Sequence, residues 1–385
     1  MVKKENNEKR IYFDWAASAP YNKNKNYSDD LFGNPSSSHA EGRIAKQALE
    51  DARDRVSRAL NVSAKTLFFT SGGTESNSVA LFTNLTRPGK GRILYSKGEH
   101  ASIREGINTL AKMGKPVGAI AIDPLGIVTD ITLEKTLSSY DDARFAAIMS
   151  VNNETGAITD IKSLKKIINN RGGAPLYFHC DIAQAIGKIP VDLSGWEVDS
   201  ASLSAHKIGG PRGIGLLYSR KPLEVFYSGG GQENGVRGGT ENTQGAVMLA
   251  DCLEQACSNT AVNENFNKAK ERFKKLITEL KKIKRCALIP AERTSDDERF
   301  SPYILQAAFK DIPGEVMARA LDDLGFAVST GSACSSSSPE RPVLAAMGIE
   351  DNLSIEGIRI SQGYSTTDED IELLLAAINE VLKFL

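Results

Sequence analysis

Long apolar runs are missing from this 385-residue chain. None approaches the ~20 residues that a helix needs to cross a bilayer, so no membrane span is expected. The opening Met1-Val2-Lys3-Lys4-Glu5-Asn6-Asn7-Glu8 also lacks the hydrophobic centre of a secretory signal. Charge of one sign is missing too: 47 basic and 48 acidic residues leave a formal net charge of −1, which removes the electrostatic case for direct nucleic-acid or anionic-membrane binding. Cysteine is sparse. The five, Cys180, Cys252, Cys257, Cys286 and Cys334, are odd in number and form no CxxC pair, so neither a disulfide framework nor a zinc ribbon fits. A reducing cytoplasm is the expected compartment. The four histidines, His39, His100, His179 and His206, show no HxxxH spacing, and no metal site is expected.

The rest is the composition of an ordinary globular protein, and 385 residues are too many for one small core, so two units are expected. Short apolar runs at 66–70, 92–96, 117–122, 145–151, 176–181, 198–203 and 215–218 alternate with helical patterns after Thr74, His100, Thr132 and Ile161. That rhythm predicts an α/β fold, a large and mostly parallel sheet wrapped by helices. Residues 240–284 read as a helical connector into a smaller unit with strands near 303–310, 326–329 and 355–360. The chain closes with a helix from Thr367, where Ile371, Leu374, Leu375, Ile378 and Leu382 form one stripe and Thr367 with Asp370 forms a capping box.

Ligands of parallel sheets sit at the carboxyl ends of the strands, and the unusual residues gather there. Ser204-Ala205-His206-Lys207 follows an apolar run and precedes a glycine-rich turn. A lysine among small residues can lose its proton and attack an aldehyde. Alone, Lys207 would read as a solvated surface lysine, but Phe178-His179-Cys180-Asp181 ends another run in a carboxylate. A Schiff-base lysine and a carboxylate for a pyridinium nitrogen are what pyridoxal phosphate requires. In Ser71-Gly72-Gly73-Thr74 a glycine turn opens a helix, which suits a phosphate, although a Thr-capped helix reads the same way. Gly229-Gly230-Gly231 through Val236-Arg237-Gly238-Gly239-Thr240 is a second glycine-rich segment with a cation and a hydroxyl. Cys334 stands among small polar residues before a serine run, where a thiol is exposed and movable. Buried and inert describes Cys252, Cys257 and Cys286 better. Arg359 ends an apolar run and fits a carboxylate clamp or an ion pair.

Together these segments resemble the cysteine desulfurases, the NifS/IscS-like branch of the class V aminotransferase fold. The motifs are Tyr12-Phe13-Asp14-Trp15-Ala16-Ala17, Gly33-Asn34-Pro35-Ser36-Ser37-Ser38-His39, the Ser71–Asn77 turn, Glu99-His100, Val151-Asn152-Asn153-Glu154-Thr155-Gly156, the run from His179 to Gln184, the lysine segment and the cysteine loop. The resemblance implies a pyridoxal-phosphate-dependent transferase of fold type I, with a large domain over 15–255 and a small α+β domain over 1–14 plus 256–385. It implies Lys207 as covalent anchor, Asp181 on the ring nitrogen, Gln184 on the phenolic oxygen, and His100 stacked on the ring and moving protons. Gly73, Thr74, Ser204 and His206 would hold the phosphate, with Thr240 reaching across a homodimer. Asn153, beside the cofactor, and Arg359, with Asn34 nearby, would hold the carboxylate of L-cysteine. Cys334 would take the sulfur as a persulfide and pass it to an acceptor such as an iron–sulfur scaffold.

The sequence departs from that pattern in three places. The stretch between Pro20 and Phe32 is shorter, and Tyr21-Asn22-Lys23-Asn24-Lys25-Asn26 is too polar for a core helix. Trp15 stands where the family has asparagine. The cysteine loop is short and serine-rich after Cys334. Selenocysteine lyase, or another lyase or aminotransferase of the same fold, is the alternative; ordinary transamination needs no mobile cysteine. A non-catalytic scaffold would have lost some of the lysine, aspartate, histidine and cysteine, and all four are present.

Overall fold

The computed structural model describes residues 10–21, 31–86, 91–227, 229–331 and 341–385. Its strands in chain order are β1 (Ile11–Tyr12), β2 (Leu67–Thr70), β3 (Arg92–Ser96), β4 (Val117–Ile120), β5 (Ala143–Ala147) and β6 (Tyr177–Asp181). They continue with β7 (Ser200–Ser204), β8 (Gly215–Ser219), β9 (Cys286–Ile289), β10 (Ile304–Phe309), β11 (Phe326–Ala327) and β12 (Gly357–Ser361). Seven of them form one sheet in the order β2-β8-β7-β6-β5-β3-β4. Neighbours are parallel except where β8 runs against β2 and β7, so the expected mostly parallel sheet is present. A three-stranded antiparallel sheet, β12-β10-β9, and the short parallel pair β1-β11 complete the strands.

The first helices are α1 (Ala40–Leu60), α2 (Gly73–Thr86) and α3 (Ala101–Lys112). Each of the latter two starts directly after a sheet strand, as βα units require. His39 proves to be a helix cap: its side chain accepts from Gly42 N, and Asn61 closes α1 in the left-handed conformation. The final helix, Asp368–Phe384, carries the predicted capping box. Two differences lie in the small unit. β9 was not anticipated, since Cys-Ala-Leu-Ile is a short apolar run inside charged sequence. The run at 355–360 is part helix, with Asp351–Glu356 helical and β12 beginning at Gly357.

One core fills the space between the large sheet and its helices, with Leu94, Ala146, Ile148, Phe178, Leu203, Leu216 and Leu249 all buried. A second gathers Phe13, Phe273, Leu305, Phe309, Met317, Ile358 and Ile378 around the small sheet. Val343, Leu344 and Met347 belong to the first core, so the late chain returns to the large sheet. No helix among the described residues is long and apolar enough to cross a membrane.

The segment after β1 is wedged between the two sheets. Ser361 N donates to Phe13 O, and Ala16 N to Ser361 Oγ. Trp15 is buried there, with Nε1 donating to Tyr12 O at 3.1 Å and its ring edge-on to Tyr364 at 5.1 Å. Gly363 makes room for it: a Cβ there would lie 2.1 to 2.4 Å from three ring carbons of Trp15. We therefore expect G363A to lose on the order of 1–3 kcal/mol of unfolding free energy in urea. The double variant W15A/G363A should lose less than the two single losses added together, because the collision is then gone. Additive losses would show that the ring and the glycine do not compete for the same space.

Candidate active site

The carboxyl ends of β6 and β7 lie side by side, since Asp181 is in register with Ser202. β7 reads Ser-Ala-Ser-Leu-Ser, all buried. Period-two alternation sends Ala201 and Leu203 into the core and the serines to the other face. Ser200 Oγ lies 2.7 Å from His179 Nδ1, Ser202 Oγ bonds Asn77 Oδ1, and Ser204 Oγ would lie 3.7 Å from a Cβ on Gly72. The chain then turns through a short 3-10 helix, Ala205–Lys207, which delivers the lysine to the same end of the sheet.

A cleft of about 540 Å³ opens there. Ser71, Gly72, Gly73 and Thr74, at the start of α2, line it together with Asp181, Gln184, Lys207, His100, Asn153 and Arg359 among others. Of the predicted site residues, Gly73, Thr74, His100, Asn153, Asp181, Gln184, Ser204, His206, Lys207 and Arg359 all line this one space. Asn34 does not. It is exposed, and its side chain accepts from Ser36 N at 2.9 Å within a turn packed on the start of α1. Thr240 is also exposed and outside the cleft of its own chain. Cys334 and residues 22–26 lie outside the described residues.

Lys207 Nζ donates to Ala16 O at 2.6 Å and Ala17 O at 3.0 Å. Asp181 is nearly buried and accepts from Ala183 N at 2.9 Å and from Asn77 Nδ2 at 2.8 Å. Asn77 is a hub that the sequence reading passed over. Its other amide hydrogen goes to Ser102 Oγ at 2.8 Å, and its carbonyl oxygen accepts from Ser202 Oγ and from His179 Nε2 at 2.9 Å. Ser102 in turn lies 2.9 Å from His100 Nδ1, which also caps α3 by accepting from Ser102 N. The available signal was spacing alone: Asn77 is one helical turn from Gly73, on the face of α2 that meets the sheet.

Burial governs the protonation states. It pulls His179 down to about 4, against Asp181, and His206 down to about 4, helped by Lys207. His100 is lowered for the same reason. Glu99, fully buried, is pushed up to about 8 by desolvation and then by Asp181. Lys188, behind Gln184, is pulled down to about 7 by burial, Lys207 and Arg359. Burial also pushes Cys257 and Cys286 up to about 12 and raises Cys180, as expected of inert thiols. Arg359 is buried and held by Asn153 O at 2.9 Å and by Asp14 Oδ1 at 2.8 Å, while its Nε has no partner among the described residues.

This donor set fits pyridoxal phosphate. It offers an amine for the aldehyde, a carboxylate held by two N–H donors for the ring nitrogen, an imidazole beside the ring, and a side-chain-free turn at a helix start for the phosphate. Arg212, which the sequence reading did not single out, lines the same cleft. Among the described residues no cluster of histidine, cysteine and carboxylates could hold a metal.

The likenesses to known proteins agree with the geometry. Residues 11–374 match the family Aminotransferase class-V. A curated relative from Dictyoglomus turgidum named cysteine desulfurase IscS is 35% identical over 387 residues, covering 98% of this chain and 95% of its own. A relative of the same name from Buchnera aphidicola is 36% identical over 385 residues, covering 96% and 92%. A solved NifS-like protein superposes with a TM-score of 0.88 at 32% identity, over 98% of this chain and 100% of its own. The structure described as SspA in complex with cysteine superposes with a TM-score of 0.77 at 28% identity, over 93% and 100%. A sheet that sets a lysine and an aspartate at adjoining strand ends over a glycine turn, in a sequence matched from end to end, identifies the chain as a member of the class-V aminotransferase family.

Proposed function

We propose that this protein is a pyridoxal-phosphate-dependent cysteine desulfurase that converts L-cysteine to L-alanine and keeps the sulfur as a persulfide on Cys334. The observation that carries the reading is the convergence of Lys207, Asp181, His100 and the 71–74 turn on one cleft. Relatives of matching length that carry this activity in their name support it.

When bound, pyridoxal phosphate supplies an aldehyde and an electron-poor ring that weakens bonds at the substrate's α-carbon. The chain's own residues then do the following. Lys207 would anchor the coenzyme through Nζ and would take the substrate's α-proton on the same atom. Asp181 keeps a proton on the ring nitrogen, and Asn77 keeps Asp181 aimed. His100, neutral and fixed through Nδ1, presents Nε2 to move a second proton. Arg359 and Asn153 orient the substrate carboxylate. The Cys334 thiolate attacks the substrate sulfur. A sulfur–sulfur bond forms, the carbon–sulfur bond breaks, and its electron pair stays on carbon, which is protonated to give alanine. The described residues before the cysteine segment support this reading: Ser329 pairs with Arg359, and a Cβ on Gly331 would lie 3.5 Å from Glu154 Oε2. Exposed Thr240 fits a phosphate contact made in a second copy, so the working unit is a homodimer, and an acceptor protein such as an iron–sulfur scaffold receives the sulfur. A reducing cytoplasm keeps the Cys334 thiol available.

Borohydride reduction of the loaded protein should fix a pyridoxyl group on Lys207. K207A should show no such adduct and release alanine ~10²–10⁴-fold more slowly. C334A should keep the adduct and lose the cysteine-dependent mass gain of one sulfur. An adduct elsewhere, or undiminished sulfur transfer by C334A, would overturn the assignment.

Glu99 gives a pH test. Its folded value near 8 exceeds the ordinary 4.5, so the native state holds a proton that the unfolded chain releases. The associated stability is complete below about 4.5 and drains away as pH rises through about 8. E99Q, permanently neutral, should match wild type near pH 5 and exceed it in urea unfolding by on the order of 3 kcal/mol near pH 9. A wild-type advantage at the higher pH would mean that Glu99 is ionised in the fold.

A further inference from the structure

The segment after β6 reads Gln184-Ala185-Ile186-Gly187-Lys188. It is a run of tight turns in which Lys188 N donates to Ala185 O. Gly187 sits at φ +68°, and a Cβ there would lie 2.8 Å from that of Ala256. The side chain of Lys188 is thereby carried back over Gln184. Its Nζ donates to Gln184 Oε1 at 2.7 Å, and both side chains are buried. Gln184 Nε2 donates to Ala16 O at 2.8 Å, the carbonyl that also receives Lys207. Gln184 lines the cleft, whereas Lys188 lines an adjoining cavity of about 260 Å³ that shares Lys207 with the cleft and also touches Trp15, Tyr303 and Tyr364. The lysine therefore reaches the amide from behind.

We propose that Lys188 is a positioning residue that fixes the polarity of the Gln184 amide, holding the carbonyl away from the cleft so that the NH₂ group faces the coenzyme. As an ammonium, the form held below about 7, Lys188 has three donors and no lone pair, so in that form it takes only the oxygen end of the amide as partner. One N–H of Gln184 goes to Ala16 O; the second is presented to the cleft. A donor at that point stabilises the phenolate of the coenzyme and lowers the pH at which its linkage to Lys207 loses a proton. With Lys188 removed, the amide turns freely, and an oxygen facing a phenolate repels it.

This inference rests on the proposed function, and the test separates the two. Wild type, K188M, Q184A and the double variant are loaded with pyridoxal phosphate, and the visible absorption band is titrated with pH. K188M should move the midpoint up by about half a pH unit or more. K188R, donors only, should keep the wild-type midpoint, and the adjoining cavity gives it room. In the Q184A background K188M should move nothing, because the lysine acts through the amide. An unchanged midpoint in K188M, or an equal shift with and without Gln184, overturns the inference while the functional reading stands. Wild type that develops no visible band overturns both. Should K188M fail to fold, the K188R midpoint read against Q184A decides: one that moves to the Q184A value overturns the inference, and one that stays at the wild-type value supports it.

Discussion

The bond from Asn77 to Asp181 is the constraint on which the site depends. It joins the first helix after the glycine turn to the end of a central strand, 104 residues apart in sequence. An amide has two hydrogens and one oxygen, and here all are engaged at once: Asp181 and Ser102 receive, His179 and Ser202 donate. Turning the amide over would set its oxygen against a carboxylate and its NH₂ against two donors. Only one arrangement satisfies the whole set, and a buried polar network of that kind specifies geometry beyond what its net energy contributes. The same atoms that aim Asp181 also set the tautomer of His179 and steady the cap of α3 at His100.

Burial decides which groups in and around the cleft carry charge. His179 and His206 are held neutral, and Glu99 keeps its proton near neutrality. Little fixed charge then competes with Asp181, Lys207 and Arg359. In a low-dielectric cleft an additional anion beside Asp181 would be felt strongly, and a neutral Glu99 removes one that interacts with it. Met149 N donates to Glu99 Oε1, so the proton rests on Oε2, an atom with no partner among the described residues. The site tolerates that orphan hydroxyl, and no second carboxylate charge arises at Glu99 beside Asp181.

Much of this was legible in the sequence because strand ends announce themselves. Apolar runs ending in aspartate or in Ser-Ala-His-Lys placed both Asp181 and Lys207, and the glycine turn placed the phosphate wall. What stayed hidden depends on contacts across sequence. Asn77 looked like one more polar residue on α2, and nothing local ties it to Asp181. Lys188 drew no reading from the sequence, because only the turn at Gly187 carries it back onto Gln184. Asn34 looked like part of the site because its motif is specific, but the turn that holds it belongs to α1. β9 escaped because four apolar residues between charged segments give no period to read.

Arg359 shows why the two sheets must keep a fixed relation. It is rooted in β12 of the small sheet, yet it grips Asn153 O, in a turn beyond β5 of the large sheet, and Asp14 from the wedged segment. A buried guanidinium is costly unless its donors are met, so any displacement of β12 would strain one ionic contact, to Asp14, and one hydrogen bond, to Asn153 O. The group read here as the substrate's clamp is also a rivet. Its partners among the described residues are a backbone carbonyl and a single carboxylate oxygen, which leaves its buried Nε unpaired. In the proposed reaction the same side chain would then couple recognition of the amino acid to the alignment of the two cores.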